Sequence, residues 1–264
     1  MNLDDFRCMR RGVHLSVVNS ADAKLLAPVN QRNGKNKRAL LLLHGFSSTP
    51  AVFRHLLASF SDYDAIVIPA LPGHAESLDA FAEMKRADLV SYVEKICADL
   101  IQEFEQVDVM GLSLGGVLAY HLSTRFPLNH LYLLAPAFDL HLAIPKAIKL
   151  ARFCKWLGFS QLYSVAGNLY TSHSGEIAYR LLPLTSIIEL LSLIGEFEFT
   201  PPSCPTDVFL GSHDEVVASP YVAERFINCS NATIHWLENS AHVIPLDGDL
   251  DAIINCVKKN QLPA

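Results

Sequence analysis

One short stretch of the chain combines residue types that can support acyl transfer. Residues 109–123 read VMGLSLGGVLAYHLS, with Gly111, Ser113 and Gly115 in a Gly-x-Ser-x-Gly spacing. A serine hydroxyl is a weak nucleophile until a base removes its proton, so a reactive Ser113 needs a histidine and an acid from elsewhere in the chain. The pattern alone does not decide the matter. With Gly and Ser each near ~7% of residues, chance supplies roughly one match per ten chains of this length. The surroundings carry the argument. VDVMGLS is expected to be a buried strand and LGGVLAYHLSTRF a helix, which places Ser113 at a sharp strand-to-helix turn. Gly111 and Gly115 let the two backbones approach without a Cβ clash. Such a turn exposes the hydroxyl at the strand's C-terminal edge. The helix beginning near Leu114 points free N–H groups and a positive dipole end at the same spot. The plain alternative is an inert serine in a glycine-rich turn.

The partners are sought at other strand ends. LGSHDEVV (210–217) puts Asp214 just past one strand, and NSAHVIPLD (239–247) puts His242 in the loop after the last. Loops at strand C-termini converge on one face of a parallel sheet. Asp214 is preferred to its neighbour Glu215, and His242 to His213 and to His235, which lies within the strand ATIHWLE. Asp247 and Asp249 are expected to cap the final helix. In LLLHGFSS (41–48) a further strand ends at His44-Gly45. The backbone N–H groups of Phe46 and Leu114 are expected to converge on one substrate oxygen, leaving the Phe46 side chain to line an acyl pocket. His44 is read as structural, and so is His74 of LPGHAES.

These residues need a scaffold. From Ala39 onward apolar strands alternate with amphipathic helices: RALLLLHG, a helix over 49–62, DAIVIPA, a helix over 87–106, the strand and helix around Ser113, and HLYLLAP. TDVFLGS, a helix near 219–227, ATIHWLE and a last helix from about Asp247 follow. Alternation of this kind predicts an α/β fold with a mainly parallel sheet and helices on both faces. Over 137–203 the alternation stops and only helical patterns remain. A helical insertion is therefore expected between core segments 1–136 and 204–264. GVHLSVV and AKLLAPV in the first 37 residues are candidates for an antiparallel edge.

Composition limits the rest. Half of the 264 residues are hydrophobic and the net charge is −6, unlike a nucleic-acid binder. The basic cluster Arg32, Lys35, Lys37 and Arg38 reads as a solvated loop. LLPLTSIIELLSLIGEFEF (181–199) is apolar, but Thr185, Glu189, Ser192 and Glu196 lie along one helical face, so an amphipathic helix is expected and not a membrane span. The polar opening has no apolar signal-peptide core, and the six cysteines are scattered without metal-ligand spacing. A cytoplasmic protein without stable membrane insertion or interfacial anchor is expected, as monomer or homodimer. The large apolar residues of the insertion, among them Phe153, Trp156, Phe159, Tyr170 and Tyr179, are expected to seal it against the sheet and in part to face Ser113.

HGF, GLSLGG, GSHDEVV and SAHVIPLD, in this order, resemble the α/β-hydrolase fold family from Ala39 to the last helix. HDEVV and HVIPLD make the chain most similar to small bacterial carboxylesterases and monoacylglycerol lipases. The resemblance implies Ser113 as nucleophile, Asp214 as acid, His242 as base, Phe46 and Leu114 as oxyanion donors, and a helical cap over 137–203. It implies hydrolysis of small-molecule carboxylic esters of short to medium acyl length, monoacylglycerols included, with no metal or organic cofactor. PGHAES departs from the family in having Ala75 where many relatives have glycine. The same triad would also serve a thioesterase, an acyltransferase or a C–C hydrolase, since fold does not choose among these. A non-catalytic receptor that kept the cavity is the reading from another class.

Overall fold

The computed structural model describes residues 2–11, 14–164 and 168–261. Gly12 and Val13 of the expected edge piece, and 165–167 of the expected insertion, lie outside them. In chain order the elements are β1 (Phe6–Arg10), β2 (His14–Val17), β3 (Val29–Arg32), β4 (Arg38–Leu43), β5 (Ala65–Ile68), α1 (Leu78–Glu83), α2 (Arg86–Glu103), β6 (Gln106–Leu112), α3 (Leu114–Arg125) and β7 (His130–Leu134). Then come α4 (Ile144–Trp156), β8 (Gln161–Tyr163), β9 (Glu176–Tyr179), β10 (Leu181–Pro183), α5 (Leu184–Gly195), β11 (Thr206–Gly211), α6 (Ser219–Phe226), β12 (Ala232–Leu237) and α7 (Leu250–Gln261).

Seven strands form the main sheet in the order β12-β11-β7-β6-β4-β5-β3. All neighbours are parallel except β3, which runs antiparallel to β5 at the edge. The central strands are apolar throughout because helices cover both faces. Successive side chains alternate between two cores. Ala39, Leu41 and Leu43 of β4 join Val107 and Val109 of β6 and the inward residues of α2 and α3 on one face. Leu40 and Leu42 join Met110, Leu112, Phe209 and the inward residues of α7 on the other. Each such leucine contributes about 2 kcal/mol of burial.

Residues 49–62 form two 3-10 turns, Pro50–Phe53 and Leu57–Phe60, in place of the expected helix. Phe53 and Leu56, then Phe60 and Tyr63, are buried three residues apart, which suits three residues per turn. Thr49 does not cap this segment; its hydroxyl donates to Ile177 O at 3.0 Å. The edge also differs from expectation. His14–Val17 pairs with β1, while Val29–Arg32 alone reaches the main sheet.

The 137–203 stretch is not purely helical. It holds α4 and α5, and also β8 paired with β10, and β9 paired with β1. All four β9 residues are buried, so no period of two was visible. The polar stripe of α5 is used for docking: Glu189 accepts the Arg86 N–H at 3.0 Å at the start of α2, Glu196 meets the Arg86 guanidinium at 2.9 Å, and Thr185 Oγ1 donates to Ala82 O at 2.8 Å. The aromatic residues of the stretch divide. Tyr179 is buried between Phe6 and Phe81, and Tyr170 is half-buried. Phe153, Trp156, Phe159 and Tyr163 are exposed, so these four do not seal the insertion against the sheet.

Candidate active site

Ser113 joins β6 to α3 with φ 56° and ψ −115°. A positive φ is strained for a residue with a Cβ. The strain is held by bonds on both sides: Ser113 N–H donates to Leu134 O at 3.0 Å, and Ser113 O accepts from Gly116 and Ala137 at 2.9 and 3.1 Å. The glycines are steric requirements. A Cβ on Gly111 would lie 2.1 Å from Gly115 O, and one on Gly115 would lie 2.0 Å from Leu43 O. Ser113 itself is 9% exposed.

The loop after β4 passes beside this turn, since a Cβ on Gly45 would stand 3.3 Å from Ser113 Cβ. The next residue is Phe46, and Leu114 opens α3. Neither N–H meets a protein acceptor among the described residues. The Phe46 ring packs on Phe81 at 5.1 Å between centroids, with His74 at 6.3 Å. His44 is fully buried, accepting the Leu71 N–H at Nε2 (3.1 Å) and facing Gly45 O through Nδ1 (2.9 Å). Burial lowers its pKa to about 4, so it stays neutral and holds the loop. His74 faces Pro72 O through Nδ1 at 3.1 Å, and burial with the nearby His44 lowers it to about 3. Ala75 takes φ 56°, a conformation that glycine adopts without strain.

Asp214 follows β11 and His242 follows β12. His242 Nδ1 and Asp214 Oδ2 are 2.9 Å apart. Asp214 Oδ1 accepts the Val216 and Val217 N–H groups at 2.8 Å each, so both carboxylate oxygens are committed. The Asp214 side chain is wholly buried, and that of His242 is 12% exposed. Burial opposes ionisation of Asp214, but the His242 charge and hydrogen bond, with the two backbone donors, outweigh it and hold the carboxyl below its usual range. Burial likewise pulls His242 down, while the Asp214 charge and hydrogen bond and the Glu176 charge push it above the ordinary imidazole value. The rivals lie apart from this pair. His213 stacks on Tyr170 at 3.9 Å, Glu215 is exposed, and His235 binds Asp207 at 2.5 Å well back along β12.

Four residues of this region carried no sequence signal or the wrong one. Asn168 Oδ1 accepts both the His242 N–H (3.1 Å) and the Glu215 N–H (3.0 Å), tying the two loops together. Asp247 was expected to cap α7. It is buried and accepts the Tyr170, Thr171 and Ala241 N–H groups at 2.7, 2.7 and 2.9 Å. Asp249 holds Asn239 N–H and Ser240 Oγ at 2.7 and 2.9 Å. Both carboxylates are drawn to the loop before His242 because its N–H groups lack other acceptors. Glu176 is buried on β9. Burial raises its pKa, against the opposing pull of the His242 and Arg54 charges. Its only advance sign is isolation, as the first acid after Asp139.

Comparison with known proteins follows this geometry. The profile of the alpha/beta hydrolase family matches residues 40–254. A thermostable monoacylglycerol lipase from Bacillus sp. (strain H-257) is 28% identical over 225 residues, covering 81% of this chain and 86% of its own. A structure from work on the metagenome-derived lipolytic enzymes LipS and LipT superposes with TM-score 0.78 at 22% identity, covering 89% of this chain and 96% of the other. A soluble variant of monoglyceride lipase from Saccharomyces cerevisiae, in complex with a substrate analog, superposes with TM-score 0.69 at 14% identity, covering 88% and 89%.

Proposed function

The chain belongs to the alpha/beta hydrolase family, and from that premise we propose that it is a serine hydrolase of carboxylic esters. The observation that carries the reading is the committed Asp214–His242 pair at two strand ends, on the sheet whose β6 ends in the strained Ser113 turn. Asp214 holds the His242 Nδ1–H, which leaves Nε2 free to take the Ser113 proton. Ser113 Oγ then attacks the ester carbonyl, and the oxyanion is held by the Phe46 and Leu114 N–H groups and the positive end of α3. The alcohol leaves with the proton from His242. Water repeats the steps on the acyl-enzyme and frees the acid.

Monoacylglycerols and esters of short to medium acyl length are the substrates to test first, because the Bacillus relative named above is a monoacylglycerol lipase. Residues 137–203 are the proposed cap. The test is a hydrolysis panel of aryl esters, monoacylglycerols and acyl thioesters, run beside fluorophosphonate labelling. One label per chain on Ser113, lost together with ester turnover in Ser113→Ala, is expected. Label or turnover retained in Ser113→Ala overturns the reading, and turnover of thioesters alone replaces the substrate class.

A further inference from the structure

A second cluster of reactive side chains lies on the sheet face that α7 covers, away from Ser113. Side chains two apart on a strand share a face. His130 and Tyr132 of β7, Asp207 and Phe209 of β11, and Thr233 and His235 of β12 are such pairs. Asp207 stands level with Tyr132 and Thr233, so His130 and His235 approach it diagonally from either side. Both rings are fixed by stacking, His130 on Tyr132 at 4.5 Å and His235 on Phe209 at 4.6 Å. From α7 come Cys256 and Asn260, one turn apart. His235 Nε2 meets Asp207 Oδ1 at 2.5 Å, and Cys256 Sγ lies 3.9 Å from the same Nε2. The ligating atoms of Asp207, His235 and Cys256 all fall within 4.8 Å of one another. A cavity of about 360 Å³ opens onto them, and its lining includes His130 and Asn260.

We propose that Asp207 Oδ1, His235 Nε2 and Cys256 Sγ bind one Zn²⁺, with water from the cavity in the fourth position. Thiolate, imidazole and carboxylate on one small ion suit zinc, whereas Mg²⁺ and Ca²⁺ require oxygen ligands. The distances are close to what zinc needs. Bonds of about 2.3 Å to sulfur and about 2.0–2.1 Å to nitrogen and oxygen, at tetrahedral angles, set Sγ about 3.6 Å from Nε2 and Nε2 about 3.3 Å from Oδ1. The thiol must therefore close by roughly 0.3 Å and the imidazole must withdraw from the carboxylate by roughly 0.8 Å. The His235 side chain is 31% exposed beside the cavity, so it has room to turn. The other carboxylate oxygen is already held. His130 Nε2 and Asn260 Nδ2 each lie 2.8 Å from Oδ2, the outer bonds that orient a ligating carboxylate. On binding, the neutral His235 ring carries its proton on Nδ1. The Cys256 thiol, which burial and the Asp207 charge push up to about 12, gives its proton to solvent.

The site stands apart from the ester chemistry. Asp207 is the second residue of β11 and Asp214 lies beyond its far end, with four residues of strand, about 13 Å, between Asp207 and Gly211. The ligands come from β11, β12 and α7, so the ion clamps the last helix to the edge of the sheet. They are 28 and 21 residues apart in the chain, which is why no ligand spacing marks them in the sequence.

The test uses the full chain, reduced and stripped of metal with a chelator, and then Zn²⁺ or Co²⁺ alone. One Zn²⁺ per chain is expected in competition with a chromophoric chelator, together with a Tm raised by several degrees. Co²⁺ should give a thiolate-to-cobalt charge-transfer band and the intense visible bands of a tetrahedral site. Cys256→Ser should abolish the charge-transfer band. His235→Gln should weaken Zn²⁺ binding at least about 100-fold, and His130→Gln about tenfold with the band retained, as loss of an outer partner does. One arm needs no substitution: in the parent chain Zn²⁺ should slow alkylation of Cys256 and leave Cys8 and Cys154, which are also half-buried, at their own rates. Absence of Zn²⁺ binding, a charge-transfer band that survives Cys256→Ser, or alkylation of Cys256 indifferent to Zn²⁺ overturns the proposal. So does binding unchanged in a folded His235→Gln. Every arm is read without substrate and is expected unchanged in Ser113→Ala, so its failure is separate from failure of the hydrolase reading.

Discussion

Replacing Asp214 by asparagine tests the candidate site most sharply, because the surrounding donors dictate how the amide must sit. Oδ1 of Asp214 accepts two backbone N–H groups at 2.8 Å, while Oδ2 faces His242 Nδ1 at 2.9 Å. An asparagine has one acceptor oxygen and one donor NH2. Its oxygen must stay on the two backbone donors, since an NH2 there would point donor at donor twice. The NH2 therefore replaces Oδ2 and donates to Nδ1. His242 is then forced to carry its proton on Nε2, the atom that should receive the Ser113 proton. The expected loss in kcat/KM is about 10⁴-fold, or about 5.5 kcal/mol of transition-state stabilisation. The fold should survive. The side chain keeps its shape, and weakening the two backbone bonds from charge-assisted to neutral costs about 1–2 kcal/mol, a few degrees in Tm for a chain of this size. The assay is kcat/KM on a soluble aryl ester, with Tm measured in parallel and Glu215→Gln as control. Glu215 is exposed and should stay within about twofold of the parent. An Asp214→Asn variant that folds and keeps activity within tenfold, or a comparable loss in Glu215→Gln, refutes the assignment of the acid.

His242 must be neutral to act as base, and its pKa is raised, so kcat/KM should rise with pH through an inflection above the ordinary value of about 6.5. Glu176→Gln removes one of the charges that raise it, so the inflection should move to lower pH; an unmoved profile shows that Glu176 does not act on the imidazole. Asn168→Ala removes the acceptor of two loop N–H groups worth about 1 kcal/mol each. It should lower Tm by a few degrees and kcat/KM about tenfold, and equal rates would show that the loops hold their places without it. Asp207, between His130 and His235 at 2.8 and 2.5 Å, has its pKa strongly depressed by these partners against the opposing effect of burial. Its contribution to stability is complete above the unfolded value of about 4 and is lost as pH falls toward the depressed folded value. Urea titrations should accordingly show Asp207→Asn losing stability at pH 7 and converging on the parent in acid; a constant difference across pH refutes the linkage.

The fold was legible where burial wrote it into runs of apolar residues. β4, β6, β7 and β11 are covered on both faces, and each is a strand that composition and length identify. It was not legible where geometry depends on distant partners. Residues 49–62 carry apolar side chains that a helix or two 3-10 turns would bury, and the tie from Thr49 to Ile177 spans 128 residues. β9 is four residues long and pairs with the far N-terminus, so neither its length nor its neighbours announce a strand. The candidate site divides the same way. That Ser113, Asp214 and His242 stand at strand ends was readable, because those ends follow the apolar runs. Asn168 and Asp247 were not, because their value lies in a backbone N–H they meet only after folding.

Segment 168–180 shows what this hidden half contributes. Asn168 joins the loops that carry Asp214 and His242, while Tyr170 and Thr171 share Asp247 with Ala241, the residue before His242. Ile177 and Tyr179 bond to Thr49 and Ser47 of the loop that follows Phe46. A single strap therefore crosses the loops after β4, β11 and β12. The sheet fixes where those loops begin, but nothing in a sheet fixes their tips relative to one another. Each strap contact is worth only about 1 kcal/mol, small against a core of buried leucines, so loosening one should leave the protein folded. A reactive pair, however, tolerates little error, and a misplacement near 1 Å costs about 10²-fold in rate. Substitutions along the strap should thus separate activity from stability, whereas substitutions in β4 or β6 should lose both together.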